Sequence, residues 1–586
     1  MRRLLAALLA LFMLATLVAC GGNGGEESSA PISSESEEPT SSVEPDTSVE
    51  PDASDEPDAS DEPGVSDEPD ASEEPDASDE PDASDAPTTG SGTGDRQTTT
   101  GGGRTTSGNG RTTTTTTTTT VSGPKPDAPI TQNLAVLFDG QKSSYDTKAE
   151  NLRKQILNAS DRIKPNKNGK TYYVSYKGSD LNDGLSPETA WRSTDHVRKV
   201  AATLEKGSTI LFERGGVYRG MMYVRTGMSV GAYGTGPKPQ LYGSMKNYAD
   251  ATLWKKIAGV ENVWRLEFGT AQGDVGNLVF NYGQYCSSPG RRFSVAKLTD
   301  EFDYYYDENK GYIYLRCSKG NPGKAFESIE IVSIGFAGIG AVIRRYVRDT
   351  STTDVTVDNL CIRYANFGLS FGPSKNMSVT NCEIGWIGGC LQTDAVRYGN
   401  GIEYYGNQDT ILIENNWIYQ CYDAGYTNQG GKSHVNVQVR NNLIEYCHYN
   451  IEVFIDAGGT GVKNSVYENN ILRFPGYGFG SYQRLGSGTG QGGNIRCGSG
   501  KTYSNNFVIK NNVMDGGKFG LVFSPYYDGK NGPKYTGNTW VQTKDYPAMT
   551  FIAPGNQAAS LQAGGSAAAL KAAVAVIDPT GKAIYE

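Results

Sequence analysis

The chain has 586 residues, a formal net charge of −11 and a hydrophobic content of 37%. Acidity is concentrated near the start, because residues 26–85 contain 24 acidic side chains and no Lys or Arg. From residue 121 onward 49 basic side chains stand against 40 acidic ones, so this part is mildly basic, which is compatible with an anionic polysaccharide or with solvation alone. No nucleic-acid-binding motif is present, and we expect no nucleic-acid partner.

The N-terminus predicts export. Arg2 and Arg3 precede an apolar run over residues 4–18 that ends in Leu17-Val18-Ala19-Cys20, and the run is short for a membrane span. Residues 1–20 resemble a bacterial lipoprotein signal, which implies lipidation of Cys20, anchoring to the cell membrane and display at the cell surface. A simple secretory peptide is the alternative.

Residues 21–128 are predicted to be a disordered stalk. Six consecutive hexapeptides of the Glu-Pro-Asp-Ala-Ser-Asp type occupy residues 50–85, and nine threonines follow at 112–120. Such a composition buries too little apolar surface to offset the entropy of ordering. Like charges and proline favour an extended spacer.

Residues 129–246 are predicted to hold an N-terminal cap and the first coils of a repeat. A strand at Tyr172-Tyr173-Val174 enters a turn, Gly178-Ser179-Asp180-Leu181-Asn182-Asp183-Gly184, and Ser193 or Thr194 can then cap a helix that continues through Val200 to Leu204. Strand-like runs at 262–268, 276–280, 302–306 and 312–316 predict a small β insertion over residues 247–322. The insertion could wall a cleft, bind sugar through its tyrosines, or be purely structural.

Residues 323–545 carry a repeat built on asparagine. The residues are Asn359, Asn381, Asn415, Asn441, Asn469 and Asn511, with spacings of 22, 34, 26, 28 and 42 and an apolar residue three places after each. Short alternating strands and a turn that suits left-handed Asn predict stacked coils with a hydrogen-bonded amide ladder. The fold class is therefore all-β, a right-handed parallel β-helix, and an Ala-rich helix at Ala558 to Leu570 is expected to cap its end within residues 546–586. We expect a monomer.

The opening segment together with the Asn repeat resembles the exported right-handed parallel β-helix proteins of the pectate-lyase-like superfamily. This resemblance covers roughly residues 170–545. It implies an N-terminal capping helix and a carbohydrate substrate, but it implies no particular reaction, because the superfamily holds lyases, hydrolases, esterases and non-catalytic proteins.

Cysteine spacing offers two interpretations. Cys421 and Cys447 lie 26 residues apart, the same spacing as Asn415 and Asn441, so they occupy equivalent positions in neighbouring coils. They could form a bridge, or they could stack as small apolar side chains inside the coil. No Cys or His cluster has metal-site spacing, and we expect no metal site.

Three acids are the candidate catalytic residues. Glu403 lies in Asn400-Gly401-Ile402-Glu403, Asp423 in Tyr422-Asp423-Ala424-Gly425, and Glu452 in Asn450-Ile451-Glu452. Ile402 and Ile451 should point inward, so both Glu side chains should point outward. Carboxylates one or two coils apart suit glycoside hydrolysis by an acid with a nucleophile or base. These strings are also similar to those of uncharacterised β-helix proteins grouped with glycoside hydrolases.

Nearby polar and aromatic residues are the candidate substrate-binding set. Counting from the Asn of each coil places Glu452 above Tyr426 and Gln392, and places Gln429 above Glu403. Tyrosine rings can stack on sugars, although inward tyrosines could equally fill the core. The full set is Gln392, Asp394, Tyr422, Tyr426, Gln429, His448 and Tyr449.

The leading functional hypothesis is a cell-surface glycoside hydrolase that acts on a plant or cell-wall polysaccharide and needs no cofactor. A calcium-dependent polysaccharide lyase is the second, with Asp423 and Asp456 as possible ligands and Lys432 or Arg440 as possible bases. A non-catalytic, glycan-binding surface adhesin is the third.

Overall fold

The structure is a computed structural model that describes residues 127, 129, 140–165, 169–271, 273–287, 294–335, 340–391, 396–455, 460–482, 484, 492–498, 506–524, 532–544, 546, 550–551 and 566–586. Cys20, nearly all of the stalk, Gln392, Asp394 and Asp456 lie outside these residues, so the predictions for them stay predictions. Within the described ranges, no helix is both long and apolar enough to cross a membrane.

Three parallel sheets make up most of the described chain, and each coil visits them in the order A, B, C. Sheet A contains the strands Thr171–Val174, Thr209–Glu213, Ser229–Tyr233, Thr352–Asp358, Ser374–Thr380, Gln408–Glu414, Ser433–Arg440, Gly461–Lys463, Ser465–Glu468, Phe507–Lys510 and Lys534–Thr536. Sheet B contains Val217–Arg219, Gln240–Tyr242, Cys361–Ala365, Glu383–Ile387, Trp417–Cys421, Leu443–Glu445, Ile471–Arg473, Val513–Asp515, Thr539–Gln542 and Lys582–Tyr585. Sheet C contains Met222–Val224, Ala341–Arg345, Phe367–Phe371, Ile402–Tyr405, Ala424–Gln429, Tyr449–Phe454, Gly493–Gly498, Val522–Ser524 and Thr550–Phe551.

The core lies inside the coils. Val439 of sheet A, Ile444 of sheet B and Ile451 of sheet C are fully buried in one continuous hydrophobic cluster. The apolar residue three places after each repeated Asn belongs to the same cluster, as the spacing predicts. The right-handed parallel β-helix is therefore confirmed.

Two successive asparagines in each coil have the two roles, turn and amide ladder, that the sequence predicts for a single Asn. The first Asn of each pair takes the left-handed turn, with φ of 56° at Asn415 and Asn441 and 57° at Asn469. The amide ladder instead runs through the second Asn. The Asn470 side chain accepts from the backbone and side-chain N–H of Asn442 at 3.0 and 2.9 Å, and it donates to the carbonyl of Val439 at 2.9 Å. The expectation that one residue would serve both roles holds only for Asn381 and Asn415, whose side chains bond to each other, and is wrong for the continuous ladder, which runs through the second Asn.

The ladder ends on a carboxylate. Asp578 accepts hydrogen bonds from the backbone and side-chain N–H of Asn538, both at 2.9 Å. Asp578 directly follows the helix Ala567–Ile577, whose N-cap is Ser566 and which buries Leu570 and Val574 against the last coil. This helix is the C-terminal cap, and it starts later than the predicted Ala558; residues 552–565 lie outside the described ranges.

The N-terminal capping helix is confirmed at Thr194–Val200. Ser193 is its N-cap, because its hydroxyl accepts from the backbone N–H of His196 at 3.0 Å. A second helix, Asp146–Leu157, was not predicted. It buries Ala149 and Ile156 in a cluster with Trp417 and Leu443 on the outer side of sheet B.

The β insertion is confirmed and has its own hydrophobic core, which includes Trp254, Leu278 and Ile313. One antiparallel sheet contains Tyr304–Asp307, Tyr312–Arg316, Val263–Glu267 and Trp254–Lys256, and the other contains Tyr285–Cys286, Val275–Phe280 and Ile329–Ser333. Pairing of the last strand with Val275–Phe280 continues the insertion past the expected boundary at residue 322. The remaining short elements are the α-helices Pro322–Ala325 and Phe479–Tyr482, the 3-10 helices Asn281–Gly283 and Val295–Lys297, and the hairpin strands Cys390–Leu391 and Arg397–Tyr398.

Cys421 and Cys447 are free thiols. Both are fully buried in the interior cluster of the coils. Of the two interpretations, the interior stack is the one observed.

Replacement of one ladder amide should destabilise the fold. In Asn470→Ala, the N–H of Asn442 and the carbonyl of Val439 lose their buried partners. Each unsatisfied buried group costs about 1–3 kcal/mol, so we expect a loss of about 3 kcal/mol in the free energy of unfolding, seen as a lower thermal midpoint. Asn309→Ala, at an exposed turn, is the matched control and should leave the midpoint unchanged. Equal midpoints for the two variants would refute a structural role for the ladder.

Candidate active site

The outer face of sheet C carries a continuous row of polar side chains. The row is Arg344, Ser370, Glu403, Thr427, Glu452 and Arg496, each paired in parallel register with the next. Glu403 and Glu452 are therefore two strands apart, or about 10 Å between their backbones, with Thr427 between them. The outward orientation expected for these two acids agrees with this register.

The expected stacking of neighbouring residues needs correction. Glu452 pairs with Thr427 and not with Tyr426, and Gln429 pairs with Tyr405 and not with Glu403. Paired residues of sheet B in this coil lie 26 apart, whereas those of sheet C lie 25 apart, and 24 apart one coil earlier. The corner between sheets B and C varies in length, so counting from the Asn turn accumulates an error there.

Glu403 is held by two neutral donors. Asn400 donates to one carboxylate oxygen at 2.8 Å and Ser370 to the other at 3.3 Å. The Asn400 amide is oriented by the backbone N–H of Ala424, which donates to its oxygen at 2.9 Å. Burial raises the pKa of Glu403 to about 7, the two hydrogen bonds oppose that rise, and the negative charges of Glu452 and Asp423 add to it. Glu403 is therefore partly protonated near neutral pH.

Asp423 lies at the corner that precedes the strand Ala424–Gln429 and is bound to a cation. The guanidinium of Arg484 donates to its Oδ1 at 2.9 Å. No hydrogen bond from the described residues reaches its Oδ2. Arg484 also lies over the ring of Tyr422, 5.5 Å from the centroid. Arg484 therefore fixes one oxygen of Asp423 through a charge-assisted hydrogen bond.

Glu452 is almost completely buried, at 1% exposure, and both of its oxygens are engaged. Thr427 and Gln429 donate to Oε2 at 3.0 and 2.7 Å, and Arg496 forms an ion pair with Oε1. Arg496 in turn lies over the ring of Tyr449, 4.8 Å from the centroid. Glu452 is therefore a buried partner of Arg496, and its carboxylate is not exposed on the outer face of sheet C.

His448 is buried and neutral. Its Nδ1 lies 2.9 Å from the hydroxyl of Ser481, and its ring stacks edge-on against Tyr449 at 4.4 Å. Burial lowers the pKa of His448 well below its usual value, and Arg484 and Arg496 act in the same direction. Its contact with Ser481 ties the strand Tyr449–Phe454 to the loop that carries Arg484.

The expected roles of the tyrosines in sugar binding do not agree with their positions. Tyr426 is fully buried inside the coils, with its ring near Tyr404 and Tyr467. Tyr422 is also fully buried, and it packs near Phe479. Tyr449 is 1% exposed and lies under Arg496. None of these three rings presents an open face for a sugar to stack on.

Arg440, a possible base in the lyase hypothesis, lies on sheet A, where it is bonded to Glu414 at 2.7 Å. His434 is on the same sheet and is buried, within 2.8 Å of the carbonyl of Gly430. His434 points inward because the left-handed backbone of Asn436, with φ of 57°, interrupts the strand alternation. Within the described ranges, no group of three or more His, Cys, Asp or Glu residues is arranged to hold a metal ion.

Two long loops are inserted at the corner between sheets B and C, in two different coils. One contains the hairpin Cys390–Leu391 and Arg397–Tyr398, and the other contains the helix Phe479–Tyr482 and Arg484. They account for the spacings of 34 and 42 residues between successive Asn turns. Both loops therefore flank Asp423 and the polar row.

Sequence reasoning missed the arginines. Arg496 could have been found, because Asn494-Ile495-Arg496 repeats the pattern of Asn450-Ile451-Glu452 one coil later. Arg484 carries no such signal, since it lies in an inserted loop without a repeat.

No protein-family profile and no curated protein sequence matches this chain. Similar solved structures include a complex of XylC with xylose (12% identity, TM-score 0.41, covering 65% of this chain and 68% of that one). A glycoside hydrolase is similar at 10% identity and TM-score 0.35, covering 71% and 96%. A GH136 lacto-N-biosidase from Eubacterium ramulus is similar at 14% identity and TM-score 0.32, covering 71% and 67%.

The raised pKa of Glu403 predicts a pH-dependent stability. With a folded pKa of about 7 against an ordinary 4.5, the folded state holds its proton longer than the unfolded chain. The stabilisation is complete below pH 4.5 and is lost as pH rises through 7. Glu403→Gln has no carboxyl proton to lose and so avoids this destabilisation. The thermal midpoint of the variant minus that of the wild type should therefore be larger at pH 8 than at pH 4.5.

The control for this prediction is Glu468→Gln on sheet A, which removes a carboxylate bonded to Lys510 at 3.2 Å. It should give no stabilisation at pH 8. A midpoint difference for Glu403→Gln that is the same at both pH values would contradict the raised pKa.

Proposed function

We propose that this protein is a glycoside hydrolase that cleaves a polysaccharide on the outer face of sheet C. The observation that carries the proposal is a pair of carboxyl groups with different partners. Glu403 has only neutral hydrogen-bond donors and a pKa of about 7, whereas Asp423 forms an ion pair with Arg484. Glycoside hydrolysis needs one acid that gives a proton to the leaving oxygen and one carboxylate that attacks or activates water.

Glu403 is the proposed general acid. Its donors, Asn400 and Ser370, fix both carboxyl oxygens, and neither donor carries a charge that would force ionisation. Glu403 is only partly buried, so the proposal requires that a sugar oxygen approach it from the outer face of sheet C. A pKa near the working pH lets the group deliver a proton and later recover it.

Asp423 is the proposed base or nucleophile. Arg484 occupies Oδ1, which leaves Oδ2 available for water or for the anomeric carbon of a sugar. Glu452 is proposed to act indirectly. Its negative charge is compensated by Arg496, and through Gln429 and Thr427 it stabilises the polar row on which substrate would lie.

We further propose that the enzyme acts at the bacterial cell surface. The support is in the sequence alone, from the lipoprotein-type signal ending at Cys20 and the acidic, Thr-rich stalk. A long extended spacer would hold the β-helix away from the membrane, within reach of a polymer too large to diffuse to the bilayer.

Substitution of either carboxyl should abolish turnover. On a cleavable polysaccharide we expect Glu403→Gln and Asp423→Asn to lower kcat by about 100-fold or more, the usual contribution of a positioned proton donor or base. Wild-type kcat should fall as pH rises above about 7, where Glu403 loses its proton. Glu468→Gln, a carboxyl on another sheet, should keep full activity. Unchanged activity in both site variants would show that the site is misassigned.

The products decide the reaction class. A hydrolase releases new reducing ends without unsaturated sugars, whereas a lyase acting on uronate polymers leaves unsaturated uronates that absorb in the ultraviolet. We expect the first result from a polysaccharide panel assayed for reducing ends and for absorbance. Unsaturated products would replace the proposal with the lyase. Binding without turnover, retained after simultaneous replacement of Glu403, Asp423 and Glu452, would indicate an adhesin.

A further inference from the structure

A groove lies on a different part of the β-helix from the polar row of sheet C. It runs between the helix Asp146–Leu157 and the turns that join sheet A to sheet B, and it has a volume of about 490 Å³. Binding pockets for small ligands typically span roughly 300–1,000 Å³. The proposed hydrolytic residues are on sheet C, so this groove has no part in the reaction described above.

One wall of the groove is a face of the helix. Lys148, Asn151 and Gln155 line it, at the three- and four-residue spacings that place side chains on one side of a helix. An adjacent face of the helix is anchored, because Ala149 and Ile156 are buried against sheet B. The wall is therefore held in place by packing that does not involve its polar side chains.

The other wall is a row of left-handed asparagines. In the earlier coils these amides are used within the protein: Asn359 donates to Asp161, Asn381 to Asp358, and Asn415 to Asn381. In the later coils they are not.

The side chains of Asn441, Asn469 and Asn511 line the groove and form no hydrogen bond with any residue that the structure describes. They belong to consecutive coils, so their backbones repeat at about 4.8 Å. This is a regular array of amides, each with two donors and an acceptor that the protein itself does not satisfy.

The floor of the groove is apolar. Leu152 of the helix and Ile471 and Val513 of sheet B lie between the two amide walls. At one end Glu414 forms ion pairs with Arg162 at 2.6 Å and with Arg440 at 2.7 Å. Lys148 adds one cation on the helix wall, so the groove combines an apolar strip with flanking amides and a small positive charge.

We infer that this groove binds an uncharged oligosaccharide, as a site separate from the hydrolytic face. Sugar rings have apolar C–H surfaces that suit the floor and hydroxyl groups that both donate and accept, as the amides do. A nucleic acid would call for a cluster of cations and stacking rings, which the lining described here does not supply. The inference goes beyond the proposed hydrolase and does not depend on it.

The test is calorimetric titration of the full-length Glu403→Gln protein, which prevents turnover, with cellohexaose, xylohexaose and mannohexaose. Two variants remove the groove amides: Asn469→Gly with Asn511→Gly, and Asn151→Ala with Gln155→Ala. Glycine retains the left-handed turns, where φ is 57° and 56°. We expect at least one hexaose to bind, and each variant to weaken that binding tenfold or more.

The matched control is Asn464→Gly, which makes the same change at an exposed left-handed Asn, with φ of 47°, outside the groove. It should leave the affinity within twofold of the parent. No binding by any of the three hexaoses, or binding that survives both groove variants, overturns the inference. Groove-dependent binding by this protein, together with no cleavage of these sugars by the wild type, would support the inference and fail to support the hydrolase, so the two proposals are separable.

Discussion

The buried amide ladder is the constraint on which the rest of the structure depends. Asn416, Asn442, Asn470, Asn512 and Asn538 each bond to the next at 2.9–3.0 Å through their side chains. Each amide also accepts from a backbone N–H and donates to a backbone carbonyl, so the ladder satisfies these backbone groups within the protein. A slip of one residue would break these bonds in two coils at once and expose the apolar side chains that follow. The ladder thereby fixes which side chains face outward on all three sheets.

The properties of the candidate site on sheet C depend on which charged or neutral partners the register places beside each carboxyl group. Three carboxyl groups are brought onto or beside one face of sheet C. Asp423 and Glu452 each gain an arginine, and both arginines come from a coil or loop later in the chain. Glu403 gains only neutral donors, so it is the acid whose pKa rises to about 7. The three carboxyl groups therefore differ in their partners, and this difference is the basis of the roles proposed for Glu403 and Asp423.

The parts of this structure that repeat could be predicted from the sequence, and the parts that do not repeat could not. Asparagine spacing predicts the β-helix, and the Ile of Asn450-Ile451-Glu452 predicts that Glu452 points outward. Alternation fails where a left-handed residue interrupts a strand, which is why His434 is buried. Counting fails at the corner between sheets B and C, whose length changes from coil to coil, so Tyr426 was placed beside Glu452 when it lies within the core. Loops such as the one that carries Arg484 contain no repeat, so the positions of their side chains could not be predicted from a period.

The left-handed asparagines raise a question that their turn geometry alone does not answer. Glycine would adopt the same φ with less strain in the folded state, but it loses more conformational entropy on folding. Asn is therefore a reasonable turn residue even without a ligand, and the amides of Asn359, Asn381 and Asn415 donate hydrogen bonds within the protein. At Asn441, Asn469 and Asn511 the amides line the groove without a partner among the described residues, so they are free to bind water or a ligand. A rigid stack presents such groups at a fixed repeat without further ordering cost, and a polymer with its own repeat is the ligand that could use several of them at once.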